Sequence, residues 1–313
     1  MSPLRSSLAR TVGKLFGVSK DVDLSLRGNL QSSRKLNLPF QASGGTETTS
    51  GDYTIHTFSY PTSDNFEVTS GSADIDVLVI AGGGAGGSGG PSGWYGGGGG
   101  AGGYVYVTGY SVSSGTYDVS VGQGGTGNGG GRGSDGADST FNAPAPSASK
   151  ITAKGGGGGG DGSYPGISPE VTGNPGGSGG GAGAHLDTST SSGGTALQPS
   201  QNPGFSNGTL TQYGFAGGTE SGGTGDGRGG GGGGAGGAGK DSPGGSPNGG
   251  GGAGRANSIS GSPVTYAGGA PTNPSDSHPA PGVAGSGGSA AASSQTGTSG
   301  QPGVVIVRYL TSS

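Results

Sequence analysis

The sequence predicts an all-β protein. The expected architecture is a jelly-roll-like β-sandwich carrying an inserted polyglycine-II helix bundle, preceded by a short amphipathic N-terminal helix and arm. Three observations lead there. Glycine supplies 85 of 313 residues. Leu, Ile, Val and Phe number 44, about 14% of the chain, below the roughly 20% that a conventional core needs. The apolar residues that remain are gathered into short β-branched and aromatic runs near the two ends of residues 50–313. Disorder normally pairs low hydrophobicity with high net charge. Here the formal charge is only −4, so the glycine belongs to a backbone-packed structure or a low-complexity linker.

In chain order, Ser2-Pro3 forms a helix start, and Leu4, Leu8, Val12, Leu15 and Phe16 recur at helical spacing with Arg5, Arg10 and Lys14 beside the stripe. A helix over 3–16 ends at Gly17 and is too short to stand alone. Residues 1–36 carry seven basic and two acidic residues, +5, whereas the rest carries seven and sixteen, −9. The segment 1–44 therefore reads as a separate basic arm, and those eight side chains are the anchoring candidates. Strands follow at YTIHTFSY (53–60), NFEV (65–68), ADIDVLVIA (73–81), GYVYVTGY (103–110) and GTYDVSV (115–121), with GVVIVRYL (303–310) at the far end. STF (139–141) and KITAK (150–154) are expected as edge strands. Val77 to Ile80 is apolar throughout, as in a strand buried on both faces. The sandwich is expected over 45–154, completed by 302–313, with the bundle over 155–301.

Glycine recurs at every third position from Gly84 to Gly102, and again from Gly227 to Gly239. Three residues per turn is the period of a polyproline-II-type helix. Collagen needs longer uninterrupted repeats and more than 19 prolines. Such rods make no internal hydrogen bonds, so their amides must pair with neighbouring rods. Ordering glycine costs about 1–2 kcal/mol per residue, which net hydrogen-bond gains of about 0.5–1.5 kcal/mol barely offset. The bundle needs a nucleus, which the sandwich would supply.

DVLVIAGGGAGG (76–87), GGGGGAGGYVYV (96–107), YDVSVGQGG (117–125), DSTFNAP (138–144), ITAKGGGGGG (151–160), TYAGG (265–269) and GVVIVRYL (303–310) together resemble the glycine-rich domain of bacteriophage tail fibres and adhesins. A similar domain occurs in the anaplastic lymphoma kinase receptor family. The resemblance covers about residues 50–313 and implies a β-sandwich with a polyglycine-II bundle, on a virion surface, with receptor contacts on loops between rods. SSLARTVGKLFGV (6–18) with DLSLRGNLQSSR (23–34) also resembles the opening of virion proteins of marine phages.

Other motifs carry less. GGAGKD (236–241) departs from a phosphate-binding loop at Asp241, where Ser or Thr is required. GGRGSDGAD (130–138) fits a calcium nonapeptide once, without the tandem copies a β-roll needs, and reads as a turn into STF. His56, His185 and His278 are not at metal-ligand spacing, and no nucleophile elbow accompanies them. No metal, cofactor or enzymatic activity is expected. The arm has one aromatic residue and no stacking pattern, so nucleic acid is not expected. No apolar run reaches the length of a membrane span. Inserts at 161–171, 184–218 and 256–284 break the glycine. Trp94, Tyr95, Tyr164, Phe205, Tyr213 and Phe215 are the receptor candidates, because aromatic rings suit glycan faces and protein hot spots. Tyr266, inside TYAGG, reads as framework.

The expected function is a non-enzymatic tail-fibre or adhesin-like virion protein. Its partners would be other virion proteins, through the arm, and a host-surface glycan or protein. It would be present in several copies, a homotrimer among the options. Alternatives are a capsid-surface fibre or decoration protein and a glycine-rich matrix protein.

Overall fold

The structure is a computed structural model. It describes residues 39–62, 64–142, 145–162, 169–185, 190–221, 227–243, 249–273, 283–291 and 295–311. The helix expected over 3–16, with its anchoring candidates, and Tyr164 and His278 lie outside the described residues.

The described chain is essentially all-β and built from several antiparallel sheets. Its strands are β1 (Gln41–Ser43), β2 (Thr46–Ser50), β3 (Tyr53–Ser59), β4 (Phe66–Ile80), β5 (Tyr104–Tyr117), β6 (Val119–Ser120), β7 (Ser139–Phe141), β8 (Ile151–Ala153), β9 (Thr190–Ser191), β10 (Thr209–Tyr213), β11 (Glu220–Ser221), β12 (Arg255–Asn257), β13 (Val264–Tyr266) and β14 (Val304–Leu310). The large sheet runs β10-β5-β4-β14-β3-β2, with β1 paired to β4. The C-terminal strand is central in it: Val307 lies opposite His56 of β3 on one side and Val77 of β4 on the other.

NFEV and ADIDVLVIA form one strand, β4. Register shifts between Val68 and Ser72 and between Ile75 and Val77, with Gly71 at φ 75°, let pairing with β5 continue across the polar stretch. STF and KITAK do not extend the large sheet. They form β7 and β8, which with β6 make a second, three-stranded sheet.

Alternation divides the apolar side chains between two faces. Val77, Val79, Val105, Val305 and Val307 share a core with Phe141, Ile151 and Ala153 of the small sheet. Leu78, Ile80, Val304 and Ile306 face the other way, onto Ala235, Ile259, Tyr266 and Ala267. Both faces of the central strands are thus covered, one by a sheet and one by the glycine region.

The glycine tracts hydrogen-bond laterally with a three-residue repeat. Gly82, Ala85 and Ser88 donate to Ala137, Ser134 and Gly131; Gly83, Gly86 and Gly89 to Gln301, Thr298 and Gln295; Gly84, Gly87 and Gly90 to Gly100, Gly97 and Trp94, all at 2.8–3.1 Å. Carbonyls of the same tract accept from Gly156, Gly159 and Gly162 and from Gly288 and Ala291. Successive residues thus address different neighbours, some antiparallel and some parallel.

The expected boundary at 154/155 does not separate these segments. Gly97 and Gly100 donate to Gly160 and Gly157, and β10, from within an expected bundle loop, pairs with β5. Backbone amides pair by proximity, without regard to which segment carries them.

Candidate functional site

Register along the tracts defines two ends. At the sheet end Ala81 bonds Gly103, Gly102 bonds Gly285, and Gly303 bonds Gly122. At the far end Gly90 bonds Trp94, Tyr95 bonds Gly227, Ala184 bonds Tyr95, Gly162 bonds Ser88, and Asp161 bonds Glu170. The turn at 91–93, the 128–131 turn and the segments entering 161–171, 184–191 and 219–228 therefore gather at one end, remote from the sheet.

Tyr95 is half-buried there, with the Arg228 guanidinium 5.3 Å from its ring centroid. Trp94 is only 4% exposed. A Cβ at Gly227 would lie 1.8 Å from Trp94 Cε3, so the tract passes directly over the indole. This corrects the surface role expected for Trp94: its ring is packed under a glycine backbone that has no side chain to push it outward.

The remaining aromatic candidates are not brought together. Phe205 packs against the main core, 6.3 Å from the Tyr110 ring. Tyr213 lies on edge strand β10, against Tyr104, with Arg255 stacked 3.5 Å over its ring and donating to its hydroxyl. Phe215, 38% exposed, presents the most open ring of the described candidates. Tyr266 is 5% exposed in the second core cluster, in keeping with a framework role.

Asp161 and Glu170 lie together at the far end. Burial first, then the neighbouring Glu170 carboxylate, push the Asp161 carboxyl above its usual range, while the Gly131 N–H that donates to it opposes the shift. Beside them Arg132 donates to the carbonyl and hydroxyl of Thr172, at 2.8 Å each.

A buried polar cluster lies where β9 meets β11. His185 Nδ1 is 2.8 Å from Glu220 Oε2, and both side chains are 1% exposed. Ser191 Oγ is 3.5 Å from each ring nitrogen. An equidistant hydroxyl is not in line with either lone pair, unlike the 2.6–3.2 Å contact of a nucleophile with its base. The arrangement ties three segments together. His56 is also fully buried, with Nδ1 2.7 Å from the Gly44 carbonyl and Nε2 3.0 Å from the Tyr309 hydroxyl. Among the described residues, no three His, Cys, Asp or Glu side chains converge as metal ligands.

The GGRGSDGAD stretch has a function that sequence reasoning missed. Asp135 Oδ1 accepts from the Gly158 N–H and the Asn174 amide, and Asp138 Oδ1 accepts from the Gly155 N–H, all at 2.8 Å. At this flank of the stack two carboxylates, three residues apart, stand in for a neighbouring tract's carbonyls. Their spacing equals the three-residue repeat, a signal that was present in the sequence.

The insert at 184–218 likewise hides a framework. Gln198, fully buried, accepts from Lys154 N at 2.7 Å, and Asn202 brackets Thr152 through its N–H and C=O. Gln212 joins both amides, at 3.2 and 3.0 Å, so this part of the insert is bound to β8.

A family model for a glycine-rich domain matches residues 59–310. The curated proteins offered no match. The matched span holds β4, β5, β14 and all the tracts described above, and the chain belongs to the glycine-rich domain family.

Proposed function

We propose that the chain is a non-enzymatic virion structural protein of the tail-fibre or adhesin type. In this reading the basic arm attaches it to other virion proteins, the sheets form a jelly-roll-like β-sandwich, and a polyglycine-II bundle carries host-binding turns at its far end. The observation that carries the reading is the three-residue hydrogen-bond repeat of residues 82–90, the period of a polyglycine-II helix. At about 3.1 Å per residue, nine residues reach about 28 Å, so a bundle bonded on several sides can hold turns well clear of the sheet. The resemblance of its motif series to phage tail fibres and adhesins supports the same reading. Tyr95 with Arg228 at the far end, and Phe215 on the flank, are the contacts it favours for a glycan or protein receptor.

The test is adsorption. Purified full-length chain, added in excess to host cells, is expected to block attachment of the particles, and Tyr95→Ala or Phe215→Ala to weaken the block. Undiminished adsorption at saturating protein refutes receptor binding.

A further inference from the structure

We propose that Asn128–Gly129, in a turn at the far end of the tracts, is a site of spontaneous deamidation selected by the fold. Three Asn-Gly pairs occur, at Asn128, Asn207 and Asn248, and the last begins outside the described residues. The reaction needs only water. The Gly129 backbone nitrogen attacks Asn128 Cγ, a C–N bond closes a five-membered succinimide, and ammonia leaves. Water then opens the ring at either carbonyl, giving an aspartyl or isoaspartyl residue with a new carboxylate.

This requires a free side-chain amide, an untied glycine N–H and room for the tetrahedral intermediate. Asn128 meets all three. It is exposed, and among the described residues its side-chain amide has no hydrogen-bond partner. The Gly129 N–H makes no bond to a described backbone carbonyl. A Cβ at Gly129 would meet only Thr296 Oγ1, at 3.6 Å, and one at Gly130 nothing within 4 Å. The residue is nevertheless held at its carbonyl, which accepts from the Ser88 hydroxyl.

Asn207 has the same local sequence and the opposite environment. Its Oδ1 accepts from Ser111 N at 3.0 Å, its Nδ2 donates to Ser111 O at 3.1 Å, and its own N–H bonds Ala148 O at 3.1 Å. The side chain acts as a one-residue strand against β5. Gly208 is crowded as well, with a Cβ there placed 2.7 Å from Thr108 O. The fold therefore exposes one of two equivalent dipeptides and locks the other.

The product matters because of its location. A carboxylate at 128 arises beside Glu170: a Cβ built on Gly131 would lie 2.9 Å from Glu170 Oε2 and 3.8 Å from Asn128 Nδ2. The isoaspartyl form adds a methylene to the backbone of a turn joining two tracts. The far end would thus gain negative charge with age.

Full-length protein is incubated at mildly alkaline pH, sampled over weeks and mapped by peptide mass spectrometry. The expected result is deamidation at Asn128 about tenfold or more faster than at Asn207, since two side-chain hydrogen bonds hold the latter. In denaturant the two rates are expected to converge. Equal native rates, a faster Asn207, or an unchanged Asn128 overturns the proposal. So does a mass gain that persists in the same peptide of Asn128→Gln.

Discussion

Replacing Gly97 by alanine tests the packing of the tracts directly. The backbone of Gly97 is outside the left-handed region, so its conformation is open to alanine and only space is at issue. A Cβ there would lie 2.0 Å from Gly181 O, 2.5 Å from Gly181 C and 2.7 Å from Ala182 O, all backbone. Restoring even a 3.0 Å contact requires the neighbouring tract to retreat by 1.0 Å. Gly97 donates to Gly160 at 2.7 Å, Gly181 donates to Gly98 at 2.7 Å, and Gly160 donates to Gly181 at 2.9 Å. A retreat of that size strains the two of these bonds that Gly181 makes, and the loss of both is the case taken here. Buried groups left unsatisfied cost about 1–3 kcal/mol each, so the loss is about 2–6 kcal/mol. The reduced entropy of the unfolded chain returns only about 0.4–1 kcal/mol. The net loss of about 2–5 kcal/mol is a large part of a stability of about 5–15 kcal/mol. At about 2–4 °C per kcal/mol, Tm falls by roughly 4–20 °C. Gly130→Ala is the control, because a Cβ there meets nothing within 4 Å. It is expected to leave Tm unchanged or slightly raised. Thermal and denaturant melts of both variants decide the matter: a Gly97→Ala protein that melts with the parent would show that these tracts are not packed, and the reasoning fails.

Two further outcomes follow from named groups. Asp135→Ala leaves the Gly158 N–H without its 2.8 Å acceptor and is expected to cost about 1–3 kcal/mol in denaturant unfolding, whereas Asp135→Asn, which keeps an acceptor, costs less. Alkaline pH acts through the tyrosines. Tyr309 is pushed up to about 12 by burial and then by Glu47, and Tyr106 to about 12 by burial and then by Asp76. A folded pKa above the unfolded value of about 10 gives stability that is complete below pH 10 and lost as pH rises toward 12. Stability measured from pH 9 to 12 is expected to fall less steeply in Tyr309→Phe and Tyr106→Phe.

Much of the large sheet was legible. GVVIVRYL and YTIHTFSY announce β14 and β3 by their β-branched and aromatic content, and the unbroken apolar run at Val77 to Ile80 announces a strand covered on both faces. β10 was not legible, because Thr209 to Tyr213 holds few apolar residues and is kept in the sheet by main-chain pairing with β5 and by the amides of Gln198, Asn202 and Gln212. An amide network has no period. Trp94 was misplaced for a related reason: an aromatic residue between glycines reads as exposed until a second tract is known to cross it. At the far end, the aromatic content of the inserts was legible, but only register between tracts separates Tyr95, which lies there, from Phe205 and Tyr213, which do not.

By itself, the sequence determined that too few apolar side chains remain for a conventional core, which left the glycine either to pack backbone on backbone or to serve as a linker. It also determined the three-residue period. What it could not determine is which tract meets which. Gly84 donates to Gly100 on an antiparallel neighbour and accepts from Gly288 on a parallel one. Glycine amides are chemically identical, so no side chain labels the partner. Tertiary structure made that choice, through the sheet that sets where each tract begins and the turns that set where it reverses. It also extended the requirement for glycine beyond every third residue. Gly82, Gly83 and Gly84 are crowded by Gln123, Ser286 and Gly157 in turn, because successive residues of one turn face different neighbouring chains.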